Sequence, residues 1–275
     1  MKRVVAIHDM SGYGKCSLTV ALPVVSACGL EVCPLPTALL STNTHFDGFT
    51  LFDFTPQMSA YIDHWEQISL KVDAIYSGFL GSGEQINYIK MFVEKFRPDK
   101  VIIDPVMGDN GVIYKTYTPE MCERMRSLVG VADITTPNLT EAAALIEESY
   151  NDLDTSCDGI QEIVRKIQGI GAKNVVVTGV ERGNKLYNCC MEAGGEYFEY
   201  EVDLLPHMHG TGDLFASVLT GGIMTGHTLR EAVESAAGFV YKVMKFTRGV
   251  VDAKERGACF EPFLYELRGG IFVGE

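Results

Sequence analysis

Apolar, β-branched runs alternate with segments of helical period along nearly the whole chain, and no other feature restricts the fold as much. This is the pattern of strands covered by helices in a mostly parallel sheet, so the fold class is α/β. The reading predicts strands at residues 3–8, 31–37, 74–79, 100–104 and 173–178, with a short one near Ile134. Helices are predicted at residues 17–28, 84–96, 119–129, 214–225 and 229–246, and one after Pro137-Asn138. Another is predicted over residues 54–71, where Met58, Ile62, Trp65 and Ile68 recur at helical spacing. Residues 185–202 read as a hairpin turning at Gly194-Gly195, and Gly221, Gly222 and Gly226 as a break between the last two helices. Neither a repeat nor a linker marks a boundary, so the 275 residues, 47% of them apolar, read as one domain spanning 1–275.

Charge removes whole classes of partner. A net charge of −13 repels nucleic acid and anionic lipid, which require clustered Lys and Arg. The N-terminal MKRVVAIHDM has an apolar run too short for a signal peptide or a membrane span, which predicts a cytoplasmic protein. The eight cysteines are scattered and include no CxxC pair, so they read as reduced thiols. An acidic chain that takes a phosphorylated ligand must supply local donors, which directs attention to glycine-rich turns at helix starts.

His209-Gly-Thr-Gly-Asp213 stands immediately before a helical run. The amides of Gly210, Thr211 and Gly212 therefore lie where unpaired donors and the helix dipole favour an anion. Asp213 there is either a local cap or a base that takes a proton from a substrate hydroxyl while the amides stabilise a transferring phosphoryl group. Two further turns favour the base. Asp104-Pro-Val-Met-Gly-Asp109 follows a strand, and Thr136-Pro-Asn-Leu-Thr-Glu141 opens a helix. Strand ends of an open α/β sheet face one crevice, so the three turns can meet on one ligand. Carboxylates beside a triphosphate require a cation between them, making Asp104, Asp109 and Glu141 candidates to hold Mg²⁺, partly through water. Asn138 and Glu141 also have the spacing of a capping box, a purely local role. The chain has no GxxxxGK[ST], and Lys15 has the wrong spacing for a P-loop lysine.

Together, GTGD, DPVMGD, TPNxxE and the strand ending at Thr178-Gly179 resemble the ribokinase-like superfamily, in its vitamin-kinase branch. Cys33-Pro-Leu-Pro-Thr37, Ser41-Thr-Asn-Thr-His45 and Ser77-Gly-Phe-Leu-Gly-Ser82 are most similar to the pyridoxal kinases. His8-Asp9-Met10-Ser11 resembles the hydroxymethylpyrimidine kinase loop as much. The resemblance implies a three-layer sandwich and transfer of the γ-phosphoryl group of ATP to the hydroxymethyl of a B6 vitamer. Asp213 would be the base and Gly210, Thr211 and Gly212 the anion hole. Asn138, Thr178 and Gly179 would contact the nucleotide, while Asp9, Ser11, Thr37, Phe79 and His209 would line the acceptor pocket. It also implies Mg²⁺, K⁺ and a homodimer. A hydroxymethylpyrimidine kinase and a non-catalytic B6-binding protein of the same fold are the alternative readings.

Overall fold

The computed structural model describes residues 1–44, 46–250 and 256–272; His45, of the Ser41–His45 segment similar to the pyridoxal kinases, lies outside them. Its strands are β1 (Arg3–Ser11), β2 (Glu31–Leu40), β3 (Leu51–Asp53), β4 (Ala74–Ser77), β5 (Lys100–Ile103), β6 (Gly108–Asp109), β7 (Val112–Ile113), β8 (Ile134–Thr135), β9 (Asn174–Arg182), β10 (Lys185–Met191) and β11 (Tyr197–Asp203). Nine of them form one sheet in the order β11-β10-β9-β8-β5-β4-β1-β2-β3, and β6 pairs with β7 separately. The interior ladders from β2 to β9 are parallel, whereas β3 at one edge and β10 and β11 at the other are antiparallel.

The helices are α1 (Leu18–Ala27), α2 (Thr55–Gln67), α3 (Gly83–Phe96), α4 (Pro119–Val129), α5 (Leu139–Ile146), α6 (Cys157–Ile170), α7 (Thr211–Thr225) and α8 (Leu229–Thr247). Alternation along the strands divides the interior into two cores. Val4, Ala6, Tyr76, Ile102, Val176 and Cys190 pack with α1, α7 and α8 on one face. On the other, Val5, Ile7, Ile75, Ile103, Val175 and Cys189 pack with α2 to α6. Adjacent Cys189 and Cys190 thus face opposite layers, and all eight cysteines are free. Of these thiols, Cys157 is exposed rather than buried.

Several expectations change in detail. The strand expected to end at Thr178-Gly179 continues to Arg182, because the chain folds back as β10 and antiparallel pairing extends it. Helix α2 stops at Gln67, four residues short, with Ser69 turning left-handed at φ 52°. Gly221 and Gly222 do not break the last two helices apart but lie inside α7. A Cβ at Gly221 would come within 2.3 Å of Cys28 Sγ, so the glycines let α7 lie close on its neighbours. Only Gly226, at φ 100°, ends the helix. Helix α6 and strand β3 had no counterpart in the sequence reading. Among the described residues, no helix is long and apolar enough to cross a membrane.

Candidate active site

The parallel strands deliver their C-terminal ends to one side of the sheet, and the ladder runs on into the loops beyond them. Asp104 N–H donates to Ser77 O at 2.8 Å, Thr136 N–H to Ile103 O at 3.2 Å, and Thr178 N–H to Pro137 O at 2.9 Å. Backbone pairing therefore fixes where each loop starts, and with it where the side chains of Asp104, Asn138 and Thr178 begin. Helix α7 brings its N-terminus to the same crevice from the opposite layer. Tyr76, buried in β4, joins the two by donating its hydroxyl to Asp213 O at 3.3 Å.

Asp213 occupies the first turn of α7 and is half-buried. Burial, reinforced by the nearby Asp9 carboxylate, pushes it up to about 7, against the nearby Ser17 N–H, which favours the charged form. Asp104 is buried and also raised, first by desolvation and then by the charge of Asp213, although the Thr136 hydroxyl donates to it at 3.1 Å. Glu141 is raised as well, by burial and then by Asp104. The three acidic groups singled out in separate turns are thus electrostatic neighbours in the fold.

Asn138 and Glu141 form the capping box that their spacing allowed. Glu141 does more than cap α5. One carboxylate oxygen accepts Asn138 N–H at 2.8 Å and the other accepts Met107 N–H at 3.2 Å, while Asn138 Nδ2 donates to Gly108 O at 2.9 Å. The pair staples the helix start to the turn carrying Asp104 and Asp109. Asp109 lies on the β6–β7 hairpin, partly exposed, with Oδ2 3.2 Å from Nε2 of His207. Among the described residues no three His, Cys, Asp or Glu side chains come close enough to cage a metal ion. The donor set fits an ion that keeps most of its water, as Mg²⁺ does, because buried Asp104 and Glu141 carry charge that only a nearby cation or proton can offset.

The anion-hole candidates have open space before them. A Cβ added at Gly212 would meet nothing within 4 Å. Gly210 is different: at φ 79°, its Cβ would lie 2.1 Å from the carbonyl oxygen of Lys15, so the two loops touch backbone to backbone. The Thr211 hydroxyl is taken up by Met208 O at 3.0 Å. The ammonium of Lys15 pairs with Glu261 at 2.6 Å.

On the acceptor side, Asp9, Ser11 and Thr37 are buried and Phe79 is half-buried, its ring 6.2 Å from that of Tyr117 in an edge-on contact. Thr37 donates its hydroxyl to Phe79 O at 3.2 Å and receives Gln85 Nε2 on its carbonyl at 2.9 Å. Gly179 is exposed at φ 72°, and His209 is exposed beside His207. Three residues with no assigned role also belong here. His8 is fully buried against Tyr76, ring centroids 4.3 Å apart, and desolvation lowers it to about 3, so it is neutral. Tyr76 carries no sequence signal beyond its strand, and Ser17 reads in sequence only as the first residue of the helix predicted over 17–28.

A model of the phosphomethylpyrimidine kinase family matches residues 23–256. A Bacteroides thetaiotaomicron protein placed provisionally among the phosphomethylpyrimidine kinases, crystallised with pyridoxal, is 37% identical with a TM-score of 0.92, covering 97% of this chain and 95% of its own. The pyridoxal kinase of Lactobacillus plantarum is 28% identical with a TM-score of 0.89, covering 96% and 95%. A hydroxymethylpyrimidine/phosphomethylpyrimidine kinase of Haemophilus influenzae is 28% identical over 87% of this chain and 90% of its own. The fold is accordingly the ribokinase-like one.

Proposed function

The chain belongs to the phosphomethylpyrimidine kinase family, and we propose that it is the ATP-dependent kinase that phosphorylates the 5′-hydroxymethyl of a B6 vitamer. The observation that carries this is Asp213, a carboxylate held near neutrality in the first turn of α7, beside a row of helix-start amides and across from Asp104 and Glu141. A base poised near 7 suits removal of an alcohol proton at neutral pH. The similarity to a structure containing pyridoxal supports the choice of acceptor.

In this reading the acceptor lies between Phe79 and the buried polar group of Asp9, Ser11 and Thr37. Its hydroxymethyl points at Asp213, which accepts the proton as the oxygen attacks the γ-phosphorus and the bond from that phosphorus to the β-phosphate oxygen breaks, releasing ADP. The amides of Gly210, Thr211 and Gly212 hold the phosphoryl oxygens as charge moves onto them. Asn138, Thr178 and Gly179 hold the rest of the nucleotide. Asp104 and Glu141, with Asp109 at the rim, would hold Mg²⁺. That ion, when bound, neutralises charge shared by the β- and γ-phosphates. K⁺ belongs to the same reading as an activator.

A coupled ADP-release screen with pyridoxal, pyridoxine, pyridoxamine and hydroxymethylpyrimidine, with Mg²⁺ and K⁺ present, tests the assignment. Preference for a vitamer is expected. Preference for the pyrimidine would move the chain to the activity of the Haemophilus relative, and silence with all four would leave a non-catalytic binder. The reading also takes the enzyme as a cytoplasmic, single-domain homodimer, supported by Leu39, Leu51 and Phe52 exposed at the β2–β3 edge. Sedimentation at the mass of one chain would refute the pairing.

A further inference from the structure

Ser17 departs from the ordinary behaviour of a serine at its position. It is the N-cap of α1, where a serine normally turns its hydroxyl onto an amide of the first turn, yet it makes no such bond. Its backbone sits at φ 50°, ψ −128°, a conformation costly for a residue with a Cβ. Two contacts are gained in return. The hydroxyl donates to Asp9 Oδ1 at 2.6 Å, and the N–H lies close enough to the Asp213 carboxylate to favour its charged form. Those two acids lie close enough for the charge of Asp9 to act on Asp213. One strained residue thus supplies a donor to each of two like-charged groups, at the positive end of the α1 dipole.

The surrounding loop leaves little slack. Lys15 N–H donates to Arg256 O at 2.8 Å, and Lys15 O lies against Gly210 of the anion hole. We propose that Ser17 is a positioning residue that aims Asp213 at the acceptor hydroxyl and holds Asp9 in register with it, so that acceptor binding and proton removal share one support. The inference rests on Asp213 being the base.

Ser17→Ala and Ser17→Gly separate the two contacts. Alanine loses the hydroxyl but keeps the backbone; it should weaken acceptor binding and raise acceptor KM about tenfold, the scale of one hydrogen bond to a charged group. Its KM for ATP should stay within about twofold. Glycine also releases the strain, so its melting temperature should equal or exceed that of the wild type, while kcat falls about tenfold or more because the amide is no longer aimed. Gained or unchanged stability with lost turnover is an outcome that a merely structural serine does not give. Wild-type kinetics in both variants would overturn the proposal, as would equal losses of ATP and acceptor affinity accompanied by a lower melting temperature. Titration of pyridoxal without ATP, followed by its absorbance, keeps the two assignments apart. A wild type that binds pyridoxal but releases no ADP defeats the kinase reading, whereas normal wild-type turnover with unaltered variants defeats only this one.

Discussion

Replacing Asp213 with Asn should abolish most turnover and stabilise the protein at the same time. Asparagine is nearly the same shape and its side-chain oxygen can still face the Ser17 N–H, so the loop geometry survives while the base is lost. Losing a general base costs roughly 10²–10⁴-fold in kcat, which is about 3–5 kcal/mol of barrier at ~1.4 kcal/mol per decade. The stability change comes from the same burial that makes the group a useful base. In the fold Asp213 rises from an ordinary 3.8 to about 7, so the folded state holds a proton that the unfolded state releases. That contribution is present in full below the unfolded value and is lost as pH rises through 7, leaving a desolvated charge at pH 8. Three pH units are worth about 4 kcal/mol at most. Because Asp213 is only half-buried in an open crevice, about half of that, ~2 kcal/mol, is the expected gain for the asparagine variant at pH 8. For a chain of this size that is a few degrees of melting temperature, shrinking toward nothing at pH 4. Thermal melts at pH 8, 6 and 4, with steady-state ADP release, measure both effects. Wild-type turnover would remove Asp213 from the chemistry, and a lower melting temperature at pH 8 would refute the desolvation argument.

The pH profile of kcat/KM in the wild type should fall about tenfold per pH unit on the acid side, bending near 7; a profile flat down to pH 5 would contradict a raised base. Gly210→Ala should raise KM for ATP and lower kcat, since its Cβ would meet the Lys15 carbonyl at 2.1 Å from a left-handed backbone. Nucleotide titration at wild-type affinity would show that the two loops can part without cost. Gly221→Ala should destabilise by about 1–3 kcal/mol through overpacking against Cys28, although glycine to alanine inside a helix ordinarily gains about 1 kcal/mol. Chemical denaturation gives the sign directly. Asn138→Ala should cost about 1 kcal/mol of stability as a lost cap and raise the Mg²⁺ concentration needed for half-maximal activity, because the Nδ2 bond to Gly108 O that ties the helix start to the turn carrying Asp109 is lost. An unchanged Mg²⁺ requirement would confine Asn138 to its helix.

What could be read from the residues alone was whatever depends on near neighbours in the chain. The alternation of apolar runs predicted the parallel sheet and its covering helices, and residues 119–129 were predicted to the residue. Asn138 and Glu141 cap a helix because three residues separate them, and the GTGD amides begin one because a periodic run follows. Helix α6 was legible too: Ile160, Ile163, Val164 and Ile167 recur on one face behind Ser156. Other features arise only once distant segments meet. No spacing indicates that Ser17 must leave its own helix uncapped to serve Asp9 and Asp213, or that His207 reaches Asp109. Nor does any local rule place Gly221 and Gly222 inside a helix, since their purpose is room for Cys28 and Ala232. The raised proton affinities of Asp104, Glu141 and Asp213 belong to the same category. Hydrogen bonds between near neighbours follow from the order of residues, but desolvation and like-charge repulsion depend on what covers a group, and the tertiary fold alone decides that.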